Sequence, residues 1–363
     1  MSSITGNKLK VSIFGESHGE GIGVVIDGLP SGIELDLNYV DSQMNRRAPG
    51  QNNISTPRKE DDSYKILSGY FENKTTGSPL CALIMNEDAK SKDYSELKTK
   101  IRPGHSDYTG FVKYQGYNDY RGGGHFSGRL TAPLLFAGSI AMQILERKNI
   151  FIGSRVKSIY NITDETQLEF NENEIKKLRS MGFPVLDVQK QQQMQQAIVK
   201  AKNEEDSLGG VIETYIINIP AGYGEPFFDS VESKISHMIF SIPAVKGIEF
   251  GAGFKITEFT GKETSDEFMI YNNKIITRSN NNGGILGGIT NGMPIIFRTA
   301  IKPTASIASA QNTVDISKME NSVLNIKGRH DPCIVPRALP VIEGAAALVV
   351  LDLMLERDGE KWI

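Results

Sequence analysis

The sequence predicts one domain of α/β or α+β class covering residues 1–363. Three observations predict it. Short β-branched runs recur along the chain, each beside a glycine-rich loop. Two long apolar stretches, Pro133 to Lys148 and Ala338 to Arg357, have helical length and too few polar residues to lie on a surface. No linker separates the glycine loops, so a chain whose length would also accommodate two domains reads as one.

Taken in order, Lys10 to Pro30 holds Val11-Ser12-Ile13-Phe14, then the loop Gly15-Glu16-Ser17-His18-Gly19, then Gly23 to Pro30, which reads as two strands joined by a functional loop. A helix is expected from Asp36 to Arg47, with Asp36 at its N-cap and Pro49-Gly50 ending it. Gln51 to Ser63 is polar and has no apolar period, so it reads as a long loop and the first candidate to close over a ligand. Leu80 to Met85 is a buried strand, Tyr117 to Arg129 an extended glycine-rich loop, and Pro133 to Lys148 a buried helix with proline in its first turn. Asp187 to Asp206 is rich in glutamine, with Val188, Met194, Ile198 and Ala201 interspersed, and reads as a helix with one solvated face.

Val211 to Ile219 follows as a strand, Phe228 to Ile242 as an amphipathic helix carrying His237, and Val245 to Phe254 as a glycine-rich strand pair. Asp266 to Ile276 reads as a hairpin turning at Asn272-Asn273. Asn280 to Gly288 is the richest glycine and asparagine loop. In the closing helix the apolar run Val341 to Met354 is interrupted by Glu343 and Asp352, short of the roughly 20 residues a bilayer span needs, so it reads as core.

At 39% hydrophobic and 23% charged, the chain has the balance of a globular protein, which excludes the disordered and fibrous classes. A formal net charge of −3 offers no general attraction to nucleic acid or to an acidic membrane, so any anion must be held by a local cluster. Two cysteines, Cys81 and Cys333, make no disulfide framework, and no basic segment leads into an apolar run at the start. A reduced, cytoplasmic setting is expected.

Three of the five histidines lie in runs of glycine, acid or hydroxyl: Gly15 to Gly19, Arg102-Pro103-Gly104-His105-Ser106-Asp107, and Gly328-Arg329-His330-Asp331-Pro332. Glycine and proline shape irregular backbone that approaches a ligand closely, and histidine titrates nearest neutrality. The adjacent arginines point to an anion, because the guanidinium fork matches phosphate or carboxylate. Arg121-Gly122-Gly123-Gly124-His125-Phe126-Ser127-Gly128-Arg129 sets three consecutive glycines between arginines, a pattern for an anion nest of peptide N–H groups. Lys302-Pro303-Thr304-Ala305-Ser306 joins a cation to two hydroxyls on a stiffened segment. There is no Walker lysine and no nucleophile elbow, and no histidine pair has metal-ligand spacing. Cys333 reads as a small core thiol.

Taken together, GESHG (15–19), Arg46-Arg47-Ala48-Pro49-Gly50, RPGHSD (102–107), DYRGGG (119–124), NGGILGG (282–288), KPTAS (302–306) and GRHDPC (328–333), in this order and spacing, closely resemble the chorismate synthase family over essentially the full length. That resemblance implies a β-α-β sandwich of one domain, assembled as a homotetramer. It implies conversion of 5-enolpyruvylshikimate-3-phosphate to chorismate and phosphate by anti-1,4-elimination, with reduced FMN required and no net redox change. On the matching positions, Arg47, Arg102, Arg129 and Arg329 would line the substrate pocket, His18 would protonate or stabilise the reduced flavin, His105 would assist the departing phosphate, and Asp331 would keep the flavin nitrogen basic. Flavin contacts map onto His125, Phe126, Ser127, Pro243, Ala244, Gly287, Gly288, Lys302, Pro303, Thr304, Ala305, Ser306 and Arg329.

Two departures stand out. Many members have Arg-Ser-Ser where this chain has His125-Phe126-Ser127, so one fixed charge is lost and an aromatic gained. Of two arginines attributed to NADPH in some members, Arg47 is present and the second is replaced in Gln51-Asn52-Asn53. The expected cofactor is therefore reduced FMN supplied by an external flavin reductase, with NADPH used only indirectly. No metal, nucleic-acid or membrane partner is expected. Two other classes fit the same residues: a non-catalytic phosphate-binding module and a flavin reductase.

Overall fold

The computed structural model describes residues 3–48, 62–86, 96–326 and 331–359. It is an α+β fold of two five-stranded antiparallel sheets with helices between them. The first sheet runs in the order Ile4–Thr5, Lys10–Gly15, Gly21–Asp27, Leu80–Met85, Lys65–Ser68. The second runs Val245–Phe250, Ile295–Ile301, Gly210–Ile217, Phe151–Ile159, Ile162–Thr163. The helices are α1 (Leu37–Arg47), α2 (Asp107–Lys113), α3 (Thr131–Arg147), α4 (Glu172–Ser180), α5 (Val188–Asn203), α6 (Val231–Phe240) and α7 (Val335–Asp358).

Helix α1 begins where expected, because the Asp36 carboxylate accepts from the N–H groups of Asn38 (2.9 Å) and Tyr39 (3.3 Å). The hairpin also forms, Phe268–Tyr271 against Lys274–Thr277, with Asn272 and Asn273 both at positive φ as a two-residue turn demands. The segment Val245 to Phe254 is one strand rather than a pair. It stops at Phe250 because the Glu249 carboxylate turns back to accept the Phe254 N–H at 3.1 Å. Helix α6 starts at Val231, after Ser230 caps the Ser233 N–H, and not at Phe228.

Helices α3 and α7 form the centre. Helix α3 packs on Gly21–Asp27 of the first sheet and on α7, which packs in turn on Phe151–Ile159 and Gly210–Ile217 of the second. By length and hydropathy Gly128–Arg147 and Val335–Asp358 would each suffice to cross a membrane, yet 94% of an 18-residue apolar window in each is buried inside the fold. The two acids that break the apolar run of α7 are both satisfied. Glu343 takes a bidentate fork from Arg46 (2.5 and 3.1 Å), and Asp352 accepts the N–H groups of Asn7 (3.0 Å), Lys8 (2.7 Å) and Leu9 (2.8 Å), tying the N-terminal strands to the helix layer.

The two helices meet at glycine. A Cβ added to Gly138 would lie 2.4 Å from the Gly344 Cα. Alanine gains about 1 kcal/mol over glycine in a helix interior, but overpacking a rigid contact costs about 1–3 kcal/mol. Gly138→Ala is therefore expected to lower the urea midpoint, and an unchanged or higher midpoint would contradict this crossing.

On the face of the second sheet turned from these helices, Glu249, Arg298, Glu213 and Arg155 lie side by side across four strands with alternating charge. Arg298 Nε lies 2.5 Å from Glu249 and Arg155 Nε 2.9 Å from Glu213, so cross-strand charge pairs support the register beside the apolar cluster of Tyr215 and Ile217.

Candidate active site

The segment 117–129 is not extended. It coils in two tight turns, Arg121–Phe126 and Gly128–Leu130, with Gly122, Gly123 and Gly124 at φ 58°, 86° and 53°. Side chains rarely adopt that region, and there is no space for them here. A Cβ on Gly122 would lie 2.2 Å from His18 Nδ1, and one on Gly123 would lie 3.2 Å from His105 Cε1 and 3.8 Å from Arg102 Nη2. The glycines thus admit two imidazoles and a guanidinium to one stretch of backbone. The loop bearing His18 is held from both sides. The Ser17 N–H donates to the Gly124 carbonyl at 3.1 Å, and Asn86 Nδ2 donates to the carbonyls of Glu16 and Gly19, each at 3.0 Å.

His105 and Arg102 share one carboxylate. Asp107, the first residue of α2, accepts from His105 Nδ1 at 2.6 Å and from Arg102 Nη2 and Nε at 2.7 and 2.8 Å. Burial alone would raise this acid, but the hydrogen bonds from Arg102 and His105 hold it well below the usual carboxylate range. Arg102 Nη1 also donates to Ser306 Oγ at 3.2 Å, and Lys302 donates to the Gly104 carbonyl, so the 302–306 segment lies against the 102–107 run. Burial, with Lys246 nearby, pulls the Lys302 ammonium below its ordinary value. The Lys302 N–H donates to the Ala244 carbonyl at 2.9 Å, which brings Pro243-Ala244 alongside.

A second acid organises the other arginines. Asp62, buried, accepts from Arg47 through one oxygen and from Arg129 through the other. Arg47 Nε also donates to Thr131 Oγ1 at 2.9 Å, and Arg129 Nε donates to Asn86 Oδ1 at 3.2 Å, linking this pair back to the His18 loop. Asp331 is joined to the same group: Arg337 Nη1 lies 2.8 Å from its carboxylate and Arg337 Nε donates to the Arg47 carbonyl at 2.9 Å. Thr304 Oγ1 donates to the Asp331 carbonyl at 3.0 Å. Burial raises the Asp331 acid above the ordinary value in spite of Arg337.

The expected residues are therefore brought together, with exceptions. Arg329, His330, Pro49-Gly50 and the loop 51–61 lie outside the described residues. His125 points to the Gly15 carbonyl (2.8 Å) and Ser3 Oγ (3.2 Å), and Phe126 lies under α2, where a Cβ on Gly110 would be 2.8 Å from its ring. Gly287 and Gly288 stand at the far end of α6 from Pro243-Ala244. The Gly288 carbonyl accepts the Val231 N–H at 3.0 Å, and a ten-residue helix is about 15 Å long. Cys333 is a core thiol, pushed up to about 12 by burial. Asp62, Asn86 and Asp107 escaped the sequence reading; only Asp107 carried a signal, as the acid closing the RPGHSD run.

Imidazoles, guanidiniums, an ammonium and hydroxyls gathered around glycine backbone in this layered α+β fold are the groups of an enzyme class that handles small anions. The chain matches the family model described as chorismate synthase over residues 9–355. It is 47% identical to a chorismate synthase of Lachnoclostridium phytofermentans over 357 residues, covering 98% of this chain and 96% of the relative. It is 46% identical to that of Pyrococcus abyssi over 353 residues, covering 97% of each. A crystal structure of chorismate synthase superposes with a TM-score of 0.75 at 28% identity, covering 97% of this chain and 93% of that one. The chain belongs to the chorismate synthase family and is a carbon–oxygen lyase.

Proposed function

We propose that this chain eliminates phosphate from 5-enolpyruvylshikimate-3-phosphate to form chorismate, an anti-1,4-elimination that requires reduced FMN and has no net redox change. The observation that carries this is the convergence of His18, His105 and Arg102 on the Gly122-Gly123 backbone in a chain of this family. A substrate with one phosphate and two carboxylates needs several cations, and Arg47, Arg102, Arg129 and Arg329 are assigned to it.

The donor set fits a flavin mononucleotide. Lys302, Thr304 and Ser306 offer a cation and two hydroxyls for its phosphate end, beside Pro243, Ala244, Pro303 and Ala305. The Cβ position of Gly128, beside Ser127, faces open space, which leaves that backbone accessible to a flat ring. When bound, the reduced flavin supplies transient electron density and an acceptor for the ring proton. In this reading His18 holds a proton against the flavin and His105 presents its Nε2 to the departing phosphate. Asp331 keeps the flavin nitrogen basic, and Arg102 stabilises charge on the leaving group. His125 and Phe126 shape the flavin side from behind. A single domain over residues 1–363, a homotetramer and a cytoplasmic setting belong to the same proposal, and the exposed Phe227, Phe228 and Ile270 support self-association.

The test is one anaerobic mixture of purified protein, photoreduced FMN and the substrate. Phosphate should appear without NADPH. Binding without release favours a phosphate-binding module, and sustained NADPH oxidation a flavin reductase. Because the second nucleotide arginine is replaced, NADPH with oxidised FMN should give no chorismate until a flavin reductase is added. Turnover without that reductase would refute the external source.

A further inference from the structure

We propose that Asp107 is the positioning residue of the cleft, a single carboxylate that fixes the tautomer of His105 and the orientation of Arg102 together. This rests on the function proposed above. Oδ1 of Asp107 receives His105 Nδ1 at 2.6 Å and Arg102 Nη2 at 2.7 Å, and Oδ2 receives Arg102 Nε at 2.8 Å and the Arg102 backbone N–H at 2.9 Å. Four N–H donors thus converge on one acid whose side chain is 8% exposed. A carboxylate accepts and never donates when ionised, so the proton of a neutral His105 is drawn to Nδ1. Nε2 is then the only ring nitrogen left to exchange a proton, and it lies 3.3 Å from the Cβ position of Gly123. The remaining N–H groups of Arg102 Nη2 face the same glycine, 3.8 Å from that position. An anion at Gly123 would therefore meet the guanidinium edge and, once His105 takes a second proton, an Nε2–H donor as well.

The placement of Asp107 is itself anchored. It opens α2, and Gly110 in the next turn rests on the ring of Phe126, one residue beyond His125 at the end of the glycine run. The aromatic that replaces a polar residue in this family's pattern thus joins the acid to the cleft wall.

The experiment combines Asp107→Asn, which keeps shape but loses an acceptor, with His105→Ala and the double variant. Asp107→Asn should lower kcat about 100-fold or more, while KM moves less than about 5-fold. In the His105→Ala background the same change should cost at least about 10-fold less in kcat than it does in the parent, because only the share carried through Arg102 remains. A purely structural role predicts a raised KM with kcat intact, or the full loss repeated in the His105→Ala background, and either result overturns the proposal. Nitrogen-15 NMR of labelled histidine supplies a readout free of activity. His105 should carry its proton on Nδ1 in the parent chain and shift toward Nε2 in Asp107→Asn. If the parent chain does not turn over at all, the proposed function fails, and the tautomer measurement still decides the role of Asp107.

Discussion

His18→Ala, His105→Ala and Asp331→Ala are each expected to reduce turnover by about 100- to 10,000-fold, the usual span for a lost general acid or base. FMN should still bind, because Lys302, Thr304 and Ser306 keep the contacts assigned to it. The loss should fall on kcat more than on KM, since in the proposed mechanism the two imidazoles act on developing charge and the arginines assigned to the substrate are untouched. Asp331 needs a second variant. Its removal strands Arg337, so Asp331→Asn serves as the form that keeps the Thr304 and Arg337 contacts while abolishing the charge. Single-turnover measurement of phosphate release with photoreduced FMN checks all of these. Near-normal rates in the three alanine variants would sink the assignment of roles.

The largest expected effect on stability is at Asp62. Its two oxygens separate the guanidiniums of Arg47 and Arg129, and all three side chains are at most 5% exposed. Removing one partner from a buried ionic group costs about 3–5 kcal/mol, because the surviving charges lie out of water without the carboxylate they shared. Asp62→Ala should therefore unfold at a markedly lower urea concentration than the parent, and a loss below about 1 kcal/mol would show that the acid is dispensable. The pH dependence follows with a definite sign. Burial raises the Asp62 carboxyl, but Arg47 and Arg129 overcome this and hold it below its ordinary value of 3.8. A folded-state value below the unfolded one means that the contribution is fully present above the ordinary carboxylate range and is lost as pH falls through the depressed value. The difference between parent and Asp62→Asn should be constant near neutrality and shrink only in strong acid.

How much was legible from residues alone differs between particular segments. The cap of α1, the hairpin at Asn272-Asn273 and the buried helices α3 and α7 depend on local chemistry and period, and they form where those signals stand. The segment 117–129 read as extended because glycine permits any backbone. Its coil is imposed by His18 and His105, which arrive from elsewhere in the chain and fill the space a Cβ would need. Val245 to Phe254 read as two strands because its glycines match a hairpin, whereas the Glu249 carboxylate ends the strand by capping Phe254. The strands Phe151–Ile159 and Ile295–Ile301, and the short helices α2 and α4, were not read from the sequence. Ile295–Ile301 alternates buried and half-buried positions and α4 sets Ile175 and Leu178 one turn apart, so a period stood in both segments.

The resemblance to one family, the loops that hold imidazole, arginine and hydroxyl, and the apolar helices at the centre were all determined by the sequence itself. Glycine, proline and histidine carry their constraints with them wherever they are placed. What tertiary structure alone decided was the partner of each charge: Asp62 between Arg47 and Arg129, Glu343 under Arg46, Asp107 beneath both His105 and Arg102. Electrostatic interaction depends on distance in space and on the water excluded around it. The loops bearing His18 and His105 meet at one stretch of glycine backbone only when the chain folds.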